Sequence, residues 1–300
     1  MKKYTLALLA LSSLLGVMLL LSTFARGENI QVSGGADLRY RNIETKENEF
    51  EIEGLFLNLR EVFRDEEGDR LIAVGQIDFD NNFEHVRPYQ TYLQYKGPLG
   101  RWNMRAGHYI IPFGLLSDYD SERLVLRTME PLNLGTKLDT GVEALGFLGD
   151  FDYAVSVSQG VGRNRFTDVD NDKLVVARIG WQDEETRIGL SGLIGKVLIE
   201  KDSIIRNEIG SEGLYEKRLG IDLTEYAGPL ILRGEASIGK DNSQTVGGGL
   251  LKADYALTPK LELNLKYAHW RRKGERNFIG AGFSYEFYKG LFIRAADEYQ

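Results

Sequence analysis

The stretch Arg101–Gly141 reads RWNMRAGHYIIPFGLLSDYDSERLVLRTMEPLNLGTKLDTG and contains two different patterns. Its first part, residues 101–109, alternates polar and apolar side chains, as a β-strand does when its two faces meet different surroundings. From Ile110 the alternation stops, and it returns only at Val142. A connection of this length is uncommon in a compact domain and calls for a structural or functional explanation.

The same alternation recurs along most of the chain, for example in residues 89–95, 175–181, 230–238 and 261–267. The segments are about 9 to 14 residues long, which exceeds the usual strand of a soluble protein and suits a tilted membrane strand. Aromatic residues lie near many of the segment ends, as in the interfacial girdles of membrane barrels. A soluble sandwich would also alternate, but it would not normally combine so many long strands with aromatic ends.

The connections between these segments are a second signal, because short and long ones alternate. The short ones include Gly97–Gly100 and Gly149–Asp150, and the long ones include 110–140, 199–214, 240–245 and 271–275. Outer-membrane barrels have short periplasmic turns and longer external loops, whereas a Greek-key sandwich has no reason to alternate in this way. We therefore predict an all-β protein, a transmembrane antiparallel β-barrel.

We predict about 14 strands for this barrel, with the long third external loop folded inward. Counting the alternating segments from Ile30 to Phe287 gives the fourteen. Residues 288–300 resemble one further strand, so 16 strands is the alternative, because bacterial barrels have an even number.

The N-terminus has the layout of a secretory signal peptide. Lys2 and Lys3 precede an apolar run that extends to Leu21, and the sequence STFA at 22–25 then supplies a small residue, Ala25, before a possible cleavage site. We expect residues 1–25 to be the signal peptide, with cleavage as late as Gly27 as a second option and a retained signal anchor as the alternative. Residues 28–300 are then predicted to form a single outer-membrane β-barrel domain.

Composition and motifs argue against several functional classes. The net charge of −7 offers no basic footprint for nucleic acid, and the chain has no cysteine. The three histidines lie far apart in sequence without metal-ligand spacing, and no nucleophile elbow or phosphate-binding loop occurs. Residues 168–172 resemble the start of a calcium loop, but Lys173 replaces the turn glycine, which favours a solvated acidic loop. We predict no enzymatic activity, no cofactor and no metal.

If the apolar series of each strand faces lipid, the opposite series faces the lumen and carries many charges. So many inward charges indicate a wet lumen, because a dry one could not solvate them. The alternative is that each charge pairs with a cross-strand neighbour and only stiffens the wall. The main candidates for lumen-facing charges are Arg60, Arg101, Arg105, Arg178, Arg218, Arg233, Asp78 and Glu143.

The long connection is itself heavily charged, and Ser121 to Arg127 could form a short helix. Rings of charged side chains at a constriction are one way in which pores select ions. An external lid is the alternative interpretation of this segment. The residues predicted to line a pore constriction are Arg123, Arg127, Asp118, Asp120 and Glu122.

Several motifs resemble the phosphate-selective porin O and P family of bacterial outer-membrane porins. They are FEIEGL at 50–55, YQTYLQY at 89–95, RAGHYIIPFG at 105–114, SER at 121–123 and GVE at 141–143. The most distinctive is the Gly-x-x-x-x-Pro-Phe-Gly core of the third motif, and the similarity spans roughly residues 50–160. The resemblance implies a trimeric diffusion channel with an inward third loop and with Arg123 and Arg127 near its constriction. The mixed charges of this chain differ from the dense basic ladder that phosphate selection uses.

The sequence thus predicts a porin of the bacterial outer membrane, a passive diffusion channel for small hydrophilic, charged solutes. Its expected partners are outer-membrane lipid, small-molecule or ion solutes and two further copies in a homotrimer, but no nucleic acid. Two alternatives stay open: a non-conducting structural barrel, and a barrel that sheathes an electron-transfer partner. The second would need a separate haem protein, because this chain lacks a Cys-x-x-Cys-His motif.

Overall fold

A computed structural model describes residues 30–41, 49–66, 68–80, 85–118, 126, 128–163, 165, 167–168, 170–199, 205–206 and 213–299. The predicted signal peptide, residues 1–25, and the cleavage option at Gly27 lie outside these ranges. None of the described helices is both long and apolar enough to span a membrane. The chain divides into two compact units, residues 1–96 and residues 97–300. The prediction of a single domain over residues 28–300 stays a prediction.

The first unit is an antiparallel meander in which each strand pairs with the next. A tight turn joins its second and third strands, and two ion pairs flank that turn: Arg64 with Asp69 at 2.8 Å, and Arg70 with Asp65 at 2.7 Å. The strands are β1 (Ile30–Arg41), β2 (Glu49–Asp65), β3 (Gly68–Asp80) and β4 (His85–Lys96).

The second unit is a longer antiparallel meander, again with every strand paired to the next in the chain. Its strands are β5 (Asn103–Ile110), β6 (Leu138–Leu148), β7 (Phe151–Ser158), β8 (Leu174–Gln182), β9 (Thr186–Leu198), β10 (Gly213–Ala227), β11 (Leu230–Asp241), β12 (Gln244–Thr258), β13 (Leu261–Arg271), β14 (Glu275–Tyr288) and β15 (Leu291–Tyr299). The described helical segments are 3-10 turns at Pro98–Gly100 and Gly114–Asp118 and one short helix, α1 (Glu130–Asn133).

Several strands of the second unit alternate in exposure, β8 and β10 most clearly. In β10, Leu219 and Ile221 are 63% and 53% exposed, whereas Arg218 and Asp222 are each 2% exposed. Charged residues are therefore buried and apolar residues exposed, the reverse of a soluble sheet and the arrangement that a lipid-facing wall requires. We call the face with exposed apolar side chains the outer face and the opposite one the inner face.

The all-β antiparallel prediction is confirmed, and the structure resolves the status of the C-terminal tail. The fourteen predicted segments all form strands, and Leu291–Tyr299 pairs with β14 as a fifteenth within the described residues. Gly290 makes this tight return possible, because its φ of 77° lies in the left-handed region that a side chain disfavours.

Two connections predicted to be long are short. Residues 240–245 lie almost wholly in strands, with Asn242 and Ser243 as a two-residue turn, and only residues 272–274 separate β13 from β14. Asn242 has a φ of 52°, a conformation that asparagine tolerates better than most residues, so β11 and β12 continue right up to their turn. The alternation of short and long connections therefore ends after the connection 199–212.

Candidate functional site

The connection between β5 and β6, residues 111–137, leaves the sheet and returns to it at the same place, so that its two ends are neighbours. The backbone amide of Ile111 donates to the Lys137 carbonyl at 3.0 Å, which joins the two ends of the connection. The amide of Phe113 donates to the Ile111 carbonyl at 2.9 Å, and Gly114 follows with a φ of 55°. The Pro112-Phe113-Gly114 sequence thus makes the bend that turns the chain away from the strand direction.

The connection then lies against the inner face of the second unit, held first by an apolar cluster on β8, β9 and β10. Burying a side chain such as Phe113 contributes about 1.5–3 kcal/mol, so the cluster is a strong attachment. Its members are all at most 4% exposed and comprise Ile111, Phe113, Leu116, Leu134, Leu174, Val176, Leu193, Val197, Ile199, Ile205 and Leu214.

A second apolar cluster attaches the same connection to β12 and β13. Leu115, Met129 and Leu132 of the connection pack there on four residues of the wall, with Phe278 of β14 at the edge. The wall residues are Val246, Leu250, Ala268 and Trp270. Because the two clusters lie on different strands, the connection extends across the inner face from β8 to β14. The predicted inward fold of this connection is therefore confirmed.

Glycines on the inner face create room for the connection. A Cβ on Gly220 of β10 would lie 2.8 Å from Cζ of Phe113, and one on Gly280 of β14 would lie 3.0 Å from Cδ2 of Leu126. Side chains at these positions would push the connection away from the wall. The glycines of the strands thus contribute directly to where the connection sits.

Hydrogen bonds from the wall fix the connection where it bends. The amide of Gly114 donates to Oγ of Ser191 at 3.0 Å, and the amide of Leu115 donates to Oε2 of Glu235 at 2.9 Å. These two amides lie at the start of a 3-10 turn, where backbone donors need acceptors from elsewhere, and the wall supplies acceptors to both.

Asn133, at the end of α1, is the second polar anchor. Its side-chain oxygen accepts from Nε of Arg218 at 3.2 Å and from Oγ of Ser237 at 3.0 Å, and its carbonyl accepts from Nη2 of Arg218 at 3.1 Å. Asn133 is only 1% exposed, so each of these bonds forms away from water, where an unpaired polar group is costly.

The charges of the inner face form ion-pair networks. In the first, Nη1 of Arg178 lies 2.7 Å from Asp152 and Nη2 lies 2.8 Å from Asp222, while Arg187 donates to Asp152 at 2.8 Å. A Cβ on Gly189 would lie 2.2 Å from Nη2 of Arg178, so that glycine gives the guanidinium its space. Cross-strand pairing of this kind stiffens the wall, as the alternative interpretation of these charges proposed.

Two further networks lie beside the first. Asp241 pairs with both Arg218 and Arg272, and Glu216 lies 3.5 Å from Arg218. Asp254 pairs with Arg233 and accepts from Asn264 at 2.7 Å. Near β15, Lys266 lies 3.0 Å from Glu298. The inner face of the second unit therefore carries both signs of charge in close alternation.

The residues predicted to be lumen-facing charges differ in how far they are buried. Arg178, Arg218 and Glu143 are buried on the inner face, and Arg105 pairs with Glu143 at 3.6 Å. Arg233 and Asp78 are half-buried, and Arg60 is exposed. Arg101 lies in the turn before β5 rather than within a strand, since Pro98–Gly100 already ends the alternation there. That all eight line a lumen stays a prediction.

The predicted constriction residues lie largely outside the described part of the chain. Asp120, Glu122, Arg123 and Arg127 lie wholly outside the described ranges, and of Asp118 only the backbone is described, at the end of a 3-10 turn. Sequence reasoning misses Ser191 and Asn133, whose contacts join residues 77 and 85 positions apart. The sequence carries one signal for Ser191: it is a polar residue in the alternating series of β9 that faces inward.

The acidic connection at 168–172 is paired with lysines. Asp168 pairs with Lys173, and Lys196 lies 3.0 Å from Asp170 and 2.9 Å from Asp172. The hydrogen bond from Lys173 lowers the pKa of Asp168 below its ordinary value of 3.8, and the amides of Asn171 and Asp170 add to this effect. The lysines supply the counter-charge at these carboxylates.

No protein-family model matches the chain, and no curated protein matches it in sequence. Solved structures do match in fold. OmpT of Vibrio cholerae, described as an outer membrane protein in trimer form, aligns over 91% of this chain and 89% of its own, with 13% identity and a TM-score of 0.67. An anion-selective porin from Comamonas acidovorans aligns over 87% and 85%, with 14% identity and a TM-score of 0.66. OmpF of Salmonella typhi, in complex with daunomycin, aligns over 91% and 90%, with 11% identity and a TM-score of 0.67.

These matches confirm the predicted fold class and, at the level of fold, the predicted location in the bacterial outer membrane. They do not extend to the phosphate-selective porin O and P family in particular, which stays a prediction. At such low sequence identity, the likeness shows the fold but says nothing about which solutes this chain selects. The chain has the fold of the bacterial outer-membrane porins, an antiparallel transmembrane β-barrel.

Proposed function

We propose that the protein is a porin without catalytic activity, which passes small hydrophilic, charged solutes by passive diffusion. The observation that carries this proposal is the connection 111–137, which two apolar clusters and two sets of hydrogen bonds hold against the inner face. A segment fixed in this way narrows a lumen without needing to move. The mixed charges around it favour small charged solutes of either sign over a single anion such as phosphate.

We further propose that Arg123, Arg127, Asp118, Asp120 and Glu122 line the narrowest point. They lie in the middle of the same connection, whose two ends are fixed by Ile111 and Asn133. With three acids and two bases, such a constriction has mixed charge. The family that the motifs resemble, the phosphate-selective porin O and P family, would also place the two arginines there. Assembly as a homotrimer belongs to this proposal, and one structural neighbour is described as a trimer form.

Single-channel recording in a planar bilayer tests the proposal. The refolded protein should give discrete conductance steps, and a salt gradient should give a reversal potential that reports its selectivity. Replacing Arg123→Ala together with Arg127→Ala should shift that potential toward cations. The matched control is Lys260→Ala with Lys289→Ala, two exposed turn residues. An unchanged potential in the arginine variant would place both residues outside the solute path.

A non-conducting structural barrel is the second candidate, because much of the inner face is already occupied. Arg178 and Asp222 are nearly inaccessible, and the two apolar clusters exclude water around the connection. A folded barrel that shows a heat-dependent shift in gel mobility but carries no current would favour this second function. Discrete current steps would exclude it.

A further inference from the structure

We propose that the outer face of β10–β13 binds the phosphate headgroup and an acyl chain of an anionic membrane lipid. Two independent features carry this inference: a pair of lysines opposite each other at one end of the strands, and an apolar groove farther along the same strands. Neither feature takes part in the proposed conduction path, since both lie on the face opposite the connection 111–137.

The lysine pair consists of Lys217 on β10 and Lys240 on β11, which are direct cross-strand partners. Both side chains are exposed on the outer face. Like charges in directly opposed positions destabilise a sheet, and an acidic neighbour would offset their repulsion. Within the described residues neither lysine has one, and the next positions along the row are Ile194 on β9 and Thr245 on β12.

The strand neighbours of this pair do not neutralise it either. On the outer face Lys217 is followed by Leu219, and Lys240 is preceded by Ile238, which are 63% and 61% exposed. The ring of Tyr215 lies 5.7 Å from Nζ of Lys217 and is aromatic rather than acidic. Two cations without an acidic neighbour among the described residues, next to exposed aliphatic residues, complement a ligand with an anionic head and an apolar tail.

The groove has a volume of about 380 Å³ and is lined on the outer face mainly by small and aliphatic residues, with the rings of Tyr267 and His269 on β13. Gly234 and Ala236 of β11 and Gly249 of β12 leave space there, and Leu251 and Tyr267 are also part of the lining. Ala236 lies four residues from Lys240 along β11, which corresponds to about 13 Å at the rise of a strand. That spacing lets one lipid place its phosphate at the lysines and its acyl chain in the groove.

The lysines lie at the strand end that also carries the connections 111–137 and 199–212. In the predicted orientation this is the external end, where headgroups of the outer leaflet meet the barrel. The headgroup layer lies directly outside the hydrocarbon core, so cations at the rim contact phosphates there. The occupant to which we commit is therefore a lipid of the surrounding membrane rather than a free anion.

Native mass spectrometry of the full chain, refolded in detergent and mixed with phosphatidylglycerol or phosphatidylcholine, tests this inference. We expect phosphatidylglycerol to be retained in preference to phosphatidylcholine. Lys217→Gln with Lys240→Gln should weaken phosphatidylglycerol binding roughly fivefold per lysine, or about twenty-fivefold for the pair. Lys260→Gln with Lys289→Gln, which removes the same charge from two turns, should leave binding unchanged.

A groove variant tests the acyl contact separately. Ala236→Leu should reduce retention of both lipids, whereas Ala177→Leu, at an exposed outer-face position on β8, should not. Equal binding of the two lipids by the unmodified protein, or unchanged binding after loss of both lysines, would overturn the proposal. Displacement of phosphatidylglycerol by 10 mM inorganic phosphate would also overturn it, since the pair would then be a site for free anions. These experiments measure lipid binding and not conductance. A negative result would therefore overturn the lipid site without bearing on the proposed channel function.

Discussion

The backbone amide of Leu115 donates a hydrogen bond to the carboxylate of Glu235 at 2.9 Å, which joins residues 120 positions apart. The bond ties the bend of the connection 111–137 to β11, between the apolar clusters on β8–β10 and on β12–β13. The clusters hold the connection by burial, which is not directional. The hydrogen bonds of Glu235, Ser191 and Asn133 give it one defined position.

Replacing Glu235→Ala should loosen the connection, because the Leu115 amide would lose its acceptor while still buried. The free energy of unfolding should fall by about 1–3 kcal/mol, the cost of one unpaired buried donor. If the protein conducts, its single-channel current should also become noisier. Chemical denaturation in detergent measures the first effect and bilayer recording the second.

The control for this variant is Glu235→Gln, which removes the charge but keeps an oxygen that can accept from Leu115. The glutamine variant should retain most of the free energy of unfolding and the low noise of the single-channel current. Equal losses in the alanine and glutamine variants would show that the charge of Glu235, and not the hydrogen bond, holds the connection.

Replacing Arg178→Met should be much more costly than replacing an exposed arginine. Arg178 is buried between Asp152 and Asp222, at 2.7 and 2.8 Å, and its loss leaves two carboxylates close together without their shared cation. Breaking a buried ion pair in this way costs about 3–5 kcal/mol. Arg101→Met, in the exposed turn before β5, should change the free energy of unfolding by less than about 0.5 kcal/mol. A loss below 1 kcal/mol for Arg178→Met would mean that water reaches the network freely.

Replacing Gly189→Ala should destabilise the same network by crowding. The new Cβ would lie 2.2 Å from Nη2 of Arg178 and 2.4 Å from Oδ2 of Asp222, so the guanidinium must move. Overpacking of this kind costs about 1–3 kcal/mol. Gly192→Ala is the matched control on the outer face of the same strand, since its nearest neighbour would lie 3.7 Å away. Denaturation midpoints of the two variants give the comparison, and equal midpoints would contradict the packing argument.

The strands could be predicted from the sequence because alternation is a local property of each segment. Leu219 and Ile221 alternate with Arg218 and Asp222 in the chain as they alternate in exposure. Connection lengths were less predictable. Whether Asn242 and Ser243 form a tight turn depends on the left-handed conformation of Asn242, and the sequence permits that conformation without requiring it.

The candidate site was predictable only in outline. The Pro112-Phe113-Gly114 sequence indicated where the connection leaves the sheet, but its partners Ser191 and Glu235 lie on distant strands. Each contact depends on the register of several intervening strands, because a shift of one residue would turn those side chains to the other face. The inward alternation identified Arg178 as a charge on this face, whereas its two carboxylate partners follow only from the assembled sheet.

The acidic connection between β7 and β8 should respond to pH through Asp168. Its pKa is lowered from the ordinary value of 3.8, first by the hydrogen bond from Lys173 and further by the amides of Asn171 and Asp170. A carboxyl whose pKa is lower in the folded state stabilises that state above its unfolded pKa. This contribution is therefore fully present well above pH 3.8 and is lost as the pH falls through the lowered value.

Carbon-13 NMR titration of the Asp168 carboxyl in the refolded protein should give a pKa below 3.8. Lys173→Met should bring that pKa back toward 3.8, because the largest cause of the shift is removed. Lys196→Met is the control, since Lys196 pairs with Asp170 and Asp172, at 3.0 and 2.9 Å, and not with Asp168. If Lys196→Met shifted Asp168 as much as Lys173→Met did, the general positive potential of the two lysines would set this pKa. A shift confined to Lys173→Met would instead assign the effect to the single hydrogen bond, and the connection would then lose its lysine contact only in strongly acidic solution.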